Sequence, residues 1–125
     1  MHITATAISL TVENPSTSAR FLTDHFGFAI VQEAPGFASL TRDDVGANVI
    51  FLARGIETLP ADQRDAVAQG LILAFVVDDL EGELARLTHE GVPITMPLTV
   101  EEWGERAFQV RDPNGVILQL VDWNG

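Results

Sequence analysis

The chain has 125 residues, the size of one compact domain, which excludes an enzyme with separate cofactor and substrate lobes. Apolar residues make up 46% and charged residues 20%, a globular balance without the signature of disorder. Seven arginines and no lysine face eighteen carboxylates, so the formal charge is −11 and the surface repels nucleic-acid backbones and anionic membranes.

Cysteine and tyrosine are absent, so disulfides, thiolate metal sites, cysteine nucleophiles and tyrosine acids are excluded. No apolar run approaches the ~20 residues of a membrane helix. The start, Met1-His2-Ile3-Thr4-Ala5, lacks a basic region followed by an apolar core, and a soluble cytoplasmic protein is expected.

In chain order, Ile3 to Val12 sets Ile8, Leu10 and Val12 against Ala7, Ser9 and Thr11, and this period of two predicts a strand packed on one face. Asn14-Pro15 is a helix cap followed by a proline suited to the first turn. Ala19, Leu22 and Phe26 recur at helical spacing until Gly27 stops the helix. Three extended runs follow, at 28–32, 37–42 and 48–53, separated by Pro35-Gly36 and by Asp43-Asp44-Val45-Gly46. Residues 54–70 are polar, with a short helix expected within 61–69. The pattern then restarts with an apolar strand over 71–77 and a helix opened by Asp78 and Glu81 at capping-box spacing. Leu80, Leu84 and Leu87 form its apolar stripe, and Gly91 ends it. Extended runs at 92–98, 106–111 and 116–122 follow, the last two joined by the turn Asp112-Pro113-Asn114-Gly115.

The chain therefore reads βαβββ twice, an α+β fold in a single domain 1–125. Module one spans 1–53, a linker 54–70 and module two 71–125. Ala38-Ser39-Leu40-Thr41-Arg42-Asp43 stands opposite Ala107-Phe108-Gln109-Val110-Arg111-Asp112, an internal repeat too long for a solenoid.

The run from Trp103 to Gly115 (WGERAFQVRDPNG), followed by Leu118-Gln119-Leu120, resembles the closing signature of the vicinal-oxygen-chelate superfamily, which includes glyoxalase I, bleomycin-resistance proteins and extradiol dioxygenases. Phe75-Val76-Val77-Asp78-Asp79-Leu80 and Leu10-Thr11-Val12-Glu13-Asn14 resemble the openings of its two modules. The likeness covers nearly the whole chain. It implies paired βαβββ modules whose curved mixed sheets enclose a cavity, and a homodimer for a chain of this length. In metal-using members it implies one divalent ion held by His, Glu or Gln from the first and last strand of each module.

By register with the family those ligand positions fall on Ala7, Phe51, Ile72 and Gln119. Three of them offer no donor, whereas a catalytic divalent ion needs three or more N or O side-chain ligands. His2, His25 and His89 lie outside these positions, the latter two where charge favours a helix C-terminus. The departure resembles the metal-free branch, in which bleomycin-resistance proteins sequester a drug. The expectation is a small-molecule-binding protein with no cofactor, no metal and no catalytic residue. A metal-dependent glyoxalase- or dioxygenase-like lyase or isomerase is the alternative.

Strand parity places Ala5, Ala7, Ser9 and Thr11, then Val49 and Phe51, then Ile72, Ala74 and Val76, then Ile117, Gln119, Val121 and Trp123 on the cavity side. Trp103, between Glu102 and Gly104 in an acidic loop, would stack on a planar ring, or else cover a sheet edge. Phe37 and Phe108 would flank a ligand, with Trp123 nearby. Arg106 would pair with an anionic ligand group or with a surface carboxylate. No phosphate-cradling glycine loop or nucleophile elbow is present. The expected ligand is planar and neutral or cationic.

Overall fold

The computed structural model describes residues 1–123. In chain order the elements are β1 (Ala7–Val12), α1 (Pro15–Phe26), β2 (Ala29–Ala34), β3 (Phe37–Thr41), β4 (Asn48–Ala53), β5 (Ile72–Val76), α2 (Leu80–His89), β6 (Ile94–Val100), β7 (Arg106–Arg111) and β8 (Ile117–Asp122). The βαβββ order occurs twice, as the sequence predicts. The chain divides into two compact units, the first ending at Gln69 and the second beginning at Gly70.

The first unit is a mixed sheet in the order β1-β4-β3-β2, with β1 and β4 parallel and the other pairs antiparallel. Asn14 caps α1: its side chain accepts from the Ser16 and Thr17 backbone N–H groups at 3.1 and 3.4 Å. Gly27, at φ +69°, ends the helix in a left-handed conformation that a side chain would strain. The helix lies on β3 and β4. Its Ala19, Leu22 and Phe26 are buried, as are Leu10, Val12, Ala38, Leu40, Val49 and Phe51 of the sheet. Leu10 pairs with Phe51 and Phe51 with Ala38, so these three share the helix-covered face. Ser9, Ile50 and Ser39 pair along the opposite face.

This register corrects the parity expectation for β4. Val49 and Phe51 belong to the helix-covered core, and Phe51 is 1% exposed. The helix-free positions of that strand are Asn48, Ile50 and Leu52.

Residues 54–69 pack with this unit. Arg54 N–H donates to Val12 O at 2.9 Å, and Ala68 N–H donates to Thr11 O at 2.7 Å. Arg64 staples the segment internally through Leu59 O and Glu57 O, at 3.0 and 3.2 Å. The short helix expected within 61–69 does not form; 61–65 are turns, and the Ala68 bond to β1 draws the chain out of helical register.

The second unit repeats the arrangement in the order β5-β8-β7-β6. Asp79, one residue later than the expected cap, accepts from Gly82 N–H at 3.1 Å, and a Cβ on Gly82 would strike that carboxylate. The helix α2 lies on β8. Leu80 and Leu87 are buried, along with Leu73, Phe108, Val110, Leu118 and Leu120 of the sheet. Asp112 shapes the β7–β8 turn, accepting from Asn114 and Val116 N–H at 2.8 and 2.9 Å.

Several strands begin later than the hydrophobic pattern suggests. Phe28 and Val92 N–H still bond to helix carbonyls, at Leu22 and Leu87, so β2 and β6 start beyond them. β1 begins at Ala7 because its partner β4 begins at Asn48. Neither sheet closes on itself, because four strands cannot bring their own edges together. Each sheet is open, with edges at β1 and β2 in the first unit and at β5 and β6 in the second. Among the described residues no helix is long and apolar enough to cross a membrane.

Phe51→Ala is expected to lower unfolding free energy by ~3–5 kcal/mol in urea titration, the cost of emptying a core ring site. A loss below ~1 kcal/mol would place the ring outside the core.

Candidate functional site

The helix-free face of the second sheet carries a connected polar group. Gln109 of β7 and Gln119 of β8 stand directly opposite each other in the ladder. Gln109 Nε2 donates to Gln119 Oε1 at 2.7 Å. Gln119 Nε2 donates in turn to Glu105 Oε1 at 3.1 Å. The other carboxylate oxygen, Oε2, accepts from Trp103 Nε1 at 3.0 Å. Glu105 and Trp103 lie in the five-residue loop between β6 and β7. Glu101 N–H to Glu105 O at 2.7 Å and Gly104 N–H to Glu101 O at 3.0 Å fold that loop. Gly104, at φ +93°, supplies the left-handed residue the loop requires. Trp103 is 67% exposed, yet the polar edge of its indole is fixed.

Toward β5 the face around this group is apolar, while Arg111 of β7 stands on it opposite Ile117. Ile72 and Ala74 of β5 pair with Ile117 and Gln119 of β8. Ile72 is 46% and Val76 67% exposed, which is high for aliphatic side chains on a strand.

Arg106 occupies the opposite, helix-covered side. Its Nε donates to Asp122 Oδ1 at 2.9 Å and its Nη2 to Asp122 Oδ2 at 2.5 Å, while Nη1 donates to Glu81 Oε1 at 2.5 Å. The Asp122 side chain is 4% exposed. Hydrogen bonding to Asp122 first, and then to Glu81, raises the Arg106 pKa further above its ordinary value. The Arg106 hydrogen bond is the main cause that holds the Glu81 carboxyl below its usual value.

Of the residues singled out in the sequence, the structure brings Trp103 and Gln119 together through Glu105. Ile72 lies on the same helix-free face, and Trp123 is exposed directly after β8. Phe108, in contrast, pairs with Leu120 on the helix-covered face and is fully buried, so it is core and does not flank this group. Phe51 is core in the first unit. Arg106 is committed to carboxylates of its own chain. Ala7 and Phe37 belong to the first unit; Ala7 is exposed on its helix-free face. Phe37 lines a cleft of about 490 Å³ with Asn14, Pro15, Glu33 and Ala34, at the start of α1. Sequence reasoning missed Glu105 and Gln109 as members of the group. The signal for Gln109 was a lone amide between Phe108 and Val110, at the repeat position facing Gln119.

The four residues that the family resemblance sets at ligand positions do not fit a divalent ion. Ala7, Phe51 and Ile72 carry no donor, nor do the neighbours Ile50 and Leu52 on β4, and the Gln119 amide is engaged at both ends. Among the described residues no three His, Asp or Glu side chains group closely enough to hold a metal ion. His25 instead stacks edge-on against Phe21, with ring centroids 5.0 Å apart.

Residues 2–120 match the model of the Glyoxalase/Bleomycin resistance protein/Dioxygenase superfamily. A search of the curated proteins finds no match. Among solved structures, the chain is similar to a lactoylglutathione lyase from Agrobacterium tumefaciens (TM-score 0.77, 18% identity, 99% of this chain and 97% of that one). It is also similar to TioX from Micromonospora sp. ML1 (TM-score 0.73, 23% identity, 97% and 99%). A glyoxalase/bleomycin resistance protein/dioxygenase from Nocardioides aligns with TM-score 0.76 and 18% identity over 98% of this chain and 85% of that one. At these identities the likeness is one of fold.

Glu81 yields a pH prediction. Its carboxyl is lowered in the folded state, so its contribution is complete above the ordinary value of 4.5 and is lost as pH falls through the lowered one. Glu81→Gln should therefore lower Tm at neutral pH, and the gap to the parent protein should close in acid. A gap independent of pH would show that the ion pair contributes nothing.

Proposed function

The chain belongs to the glyoxalase/bleomycin resistance protein/dioxygenase superfamily, and we propose that within it this protein is a metal-independent binder of a planar, neutral or cationic small molecule. Sequestration of an antibiotic or a compound of similar shape is the activity that fits. The observation carrying this reading is the chain from Gln109 through Gln119 and Glu105 to Trp103, which sets an exposed indole beside a carboxylate on an apolar sheet face. A flat ring stacks on the indole, and a positive charge gains from both its π face and Glu105. The amides offer further donors and acceptors that fix orientation. The net charge of −11 draws cations and turns away anions. The reading includes a homodimer, since Ile72 and Val76 leave apolar surface on the edge strand β5 for a second copy to cover.

Native mass spectrometry of the purified protein, with titration by a planar cationic dye and by an anionic one, tests the reading. A metal-free dimer that binds thioflavin T and ignores 8-anilinonaphthalene sulfonate is the expected result. Trp103→Ala should weaken thioflavin T binding by roughly 1–3 kcal/mol, the worth of a stacking anchor. Stoichiometric divalent metal, with a lyase or isomerase activity lost on chelation, would overturn the reading in favour of the enzyme alternative.

A further inference from the structure

We infer that Arg106 is a positioning residue that acts on the binding face through its chain neighbour Glu105; the inference rests on the reading that Trp103 and Glu105 meet the ligand.

Consecutive residues at the start of β7 face opposite ways. Arg106 turns to the helix-covered side, where its guanidinium grips both oxygens of Asp122, the residue opposite it in the β7–β8 ladder. The same group reaches Glu81 in the first turn of α2. A planar fork bonded to one carboxylate at two points fixes direction as well as distance. Asp122 is nearly buried, so solvent screens this pair less than a surface one. One residue earlier, Glu105 turns to the helix-free side, and both its oxygens are in use, one on Gln119 and one on Trp103.

The loop before it places Glu101, Glu102 and Glu105 within five residues, and like charges so close favour splaying. It is closed by the two backbone contacts at Glu101, by the Val100–Arg106 pair of the β6–β7 ladder at its base, and by the bonds that Glu105 accepts from Gln119 and Trp103. The Arg106 fork sets where the loop ends and so where Glu105 stands. Releasing it lets the loop end swing, which takes Glu105 off Gln119 and the indole off Glu105.

The test needs no ligand. The chain has two tryptophans, so Trp123→Phe leaves Trp103 as the sole fluorophore. Time-resolved anisotropy then reports the freedom of its ring. In that background Glu105→Ala defines the released state. Arg106→Lys keeps the charge and loses the fork; Asp122→Asn removes the fork's charged partner with little change of shape. Both should lower the residual anisotropy to the Glu105→Ala level. Glu81→Gln, which leaves the Asp122 fork, and Phe51→Leu, a core lesion in the other unit, should lower Tm while leaving the anisotropy at the parent value. Thioflavin T should bind about two- to tenfold more weakly to Arg106→Lys, the cost of re-ordering a freed side chain. Parent-like anisotropy in both fork variants, with only Tm reduced, would overturn the inference and leave Arg106 a stability residue. If the parent protein binds no thioflavin T, the ligand reading fails on its own, and the anisotropy comparison still decides whether Arg106 holds Glu105.

Discussion

A strand presents alternate side chains to opposite faces of its sheet, and in each unit one helix covers one of those faces. From this pairing follows what each residue of the chain does. Leu10, Phe51 and Ala38 meet α1's side in the first unit; Leu118, Leu120, Phe108 and Val110 meet α2's side in the second. Burying the leucine, valine and phenylalanine side chains among them is worth ~1.5–3 kcal/mol each, more than an exposed surface ion pair. The opposite faces are packed less fully, although Ala107 and Val121 on the second of them are buried. They carry Ser9, Ile50 and Ser39 in one unit and Ile72, Gln109 and Gln119 in the other.

The second of these faces carries the Gln119 amide. A glutamine with one end on Gln109 and the other on Glu105 is spent on orientation. Its effect is to relay order outward from the rigid ladder to a loop whose indole would otherwise rotate freely. An exposed aromatic ring loses little entropy on binding when its polar edge is already tied.

Charge works on both sides of the same strand. The protein is strongly acidic, and its cations are few and all guanidinium. Arg106 is therefore drawn into carboxylates of its own unit, Asp122 and Glu81 both held by one guanidinium. Arg54 with Glu13, Arg42 with Asp44, and Arg86 with Glu83 and Glu90 show the same habit at exposed sites, where screening leaves each pair little energetic weight. The difference at Arg106 is burial of its partner, which turns a common surface contact into a fixed joint between β7, β8 and α2.

Much of the architecture was legible in the chain. Asn14-Pro15, Gly27, Asp112 to Gly115 and the alternation of β1 act through bonds between near neighbours, so local sequence is enough to place them. The duplicated βαβββ order, and the lack of donors at Ala7 and Ile72, could likewise be read residue by residue. The face of β4 could not: Val49-Ile50-Phe51-Leu52 is apolar throughout, and an unbroken run has no period to show which side meets the helix. Phe108 looked like a ligand contact, and Arg106 was open between a ligand and a carboxylate, because a letter in a strand does not state its side. Glu105 was hidden for a different reason, since its partners Gln119 and Trp103 lie fourteen residues ahead and two behind. Local sequence sufficed for the order of the eight strands and two helices, for most caps and turns, and for the chemistry available, whereas the α2 cap at Asp79 and the turns at 61–65 departed from it. Which face each side chain joins came from the fold, because ladder register and helix cover arise from contacts between residues far apart in the chain.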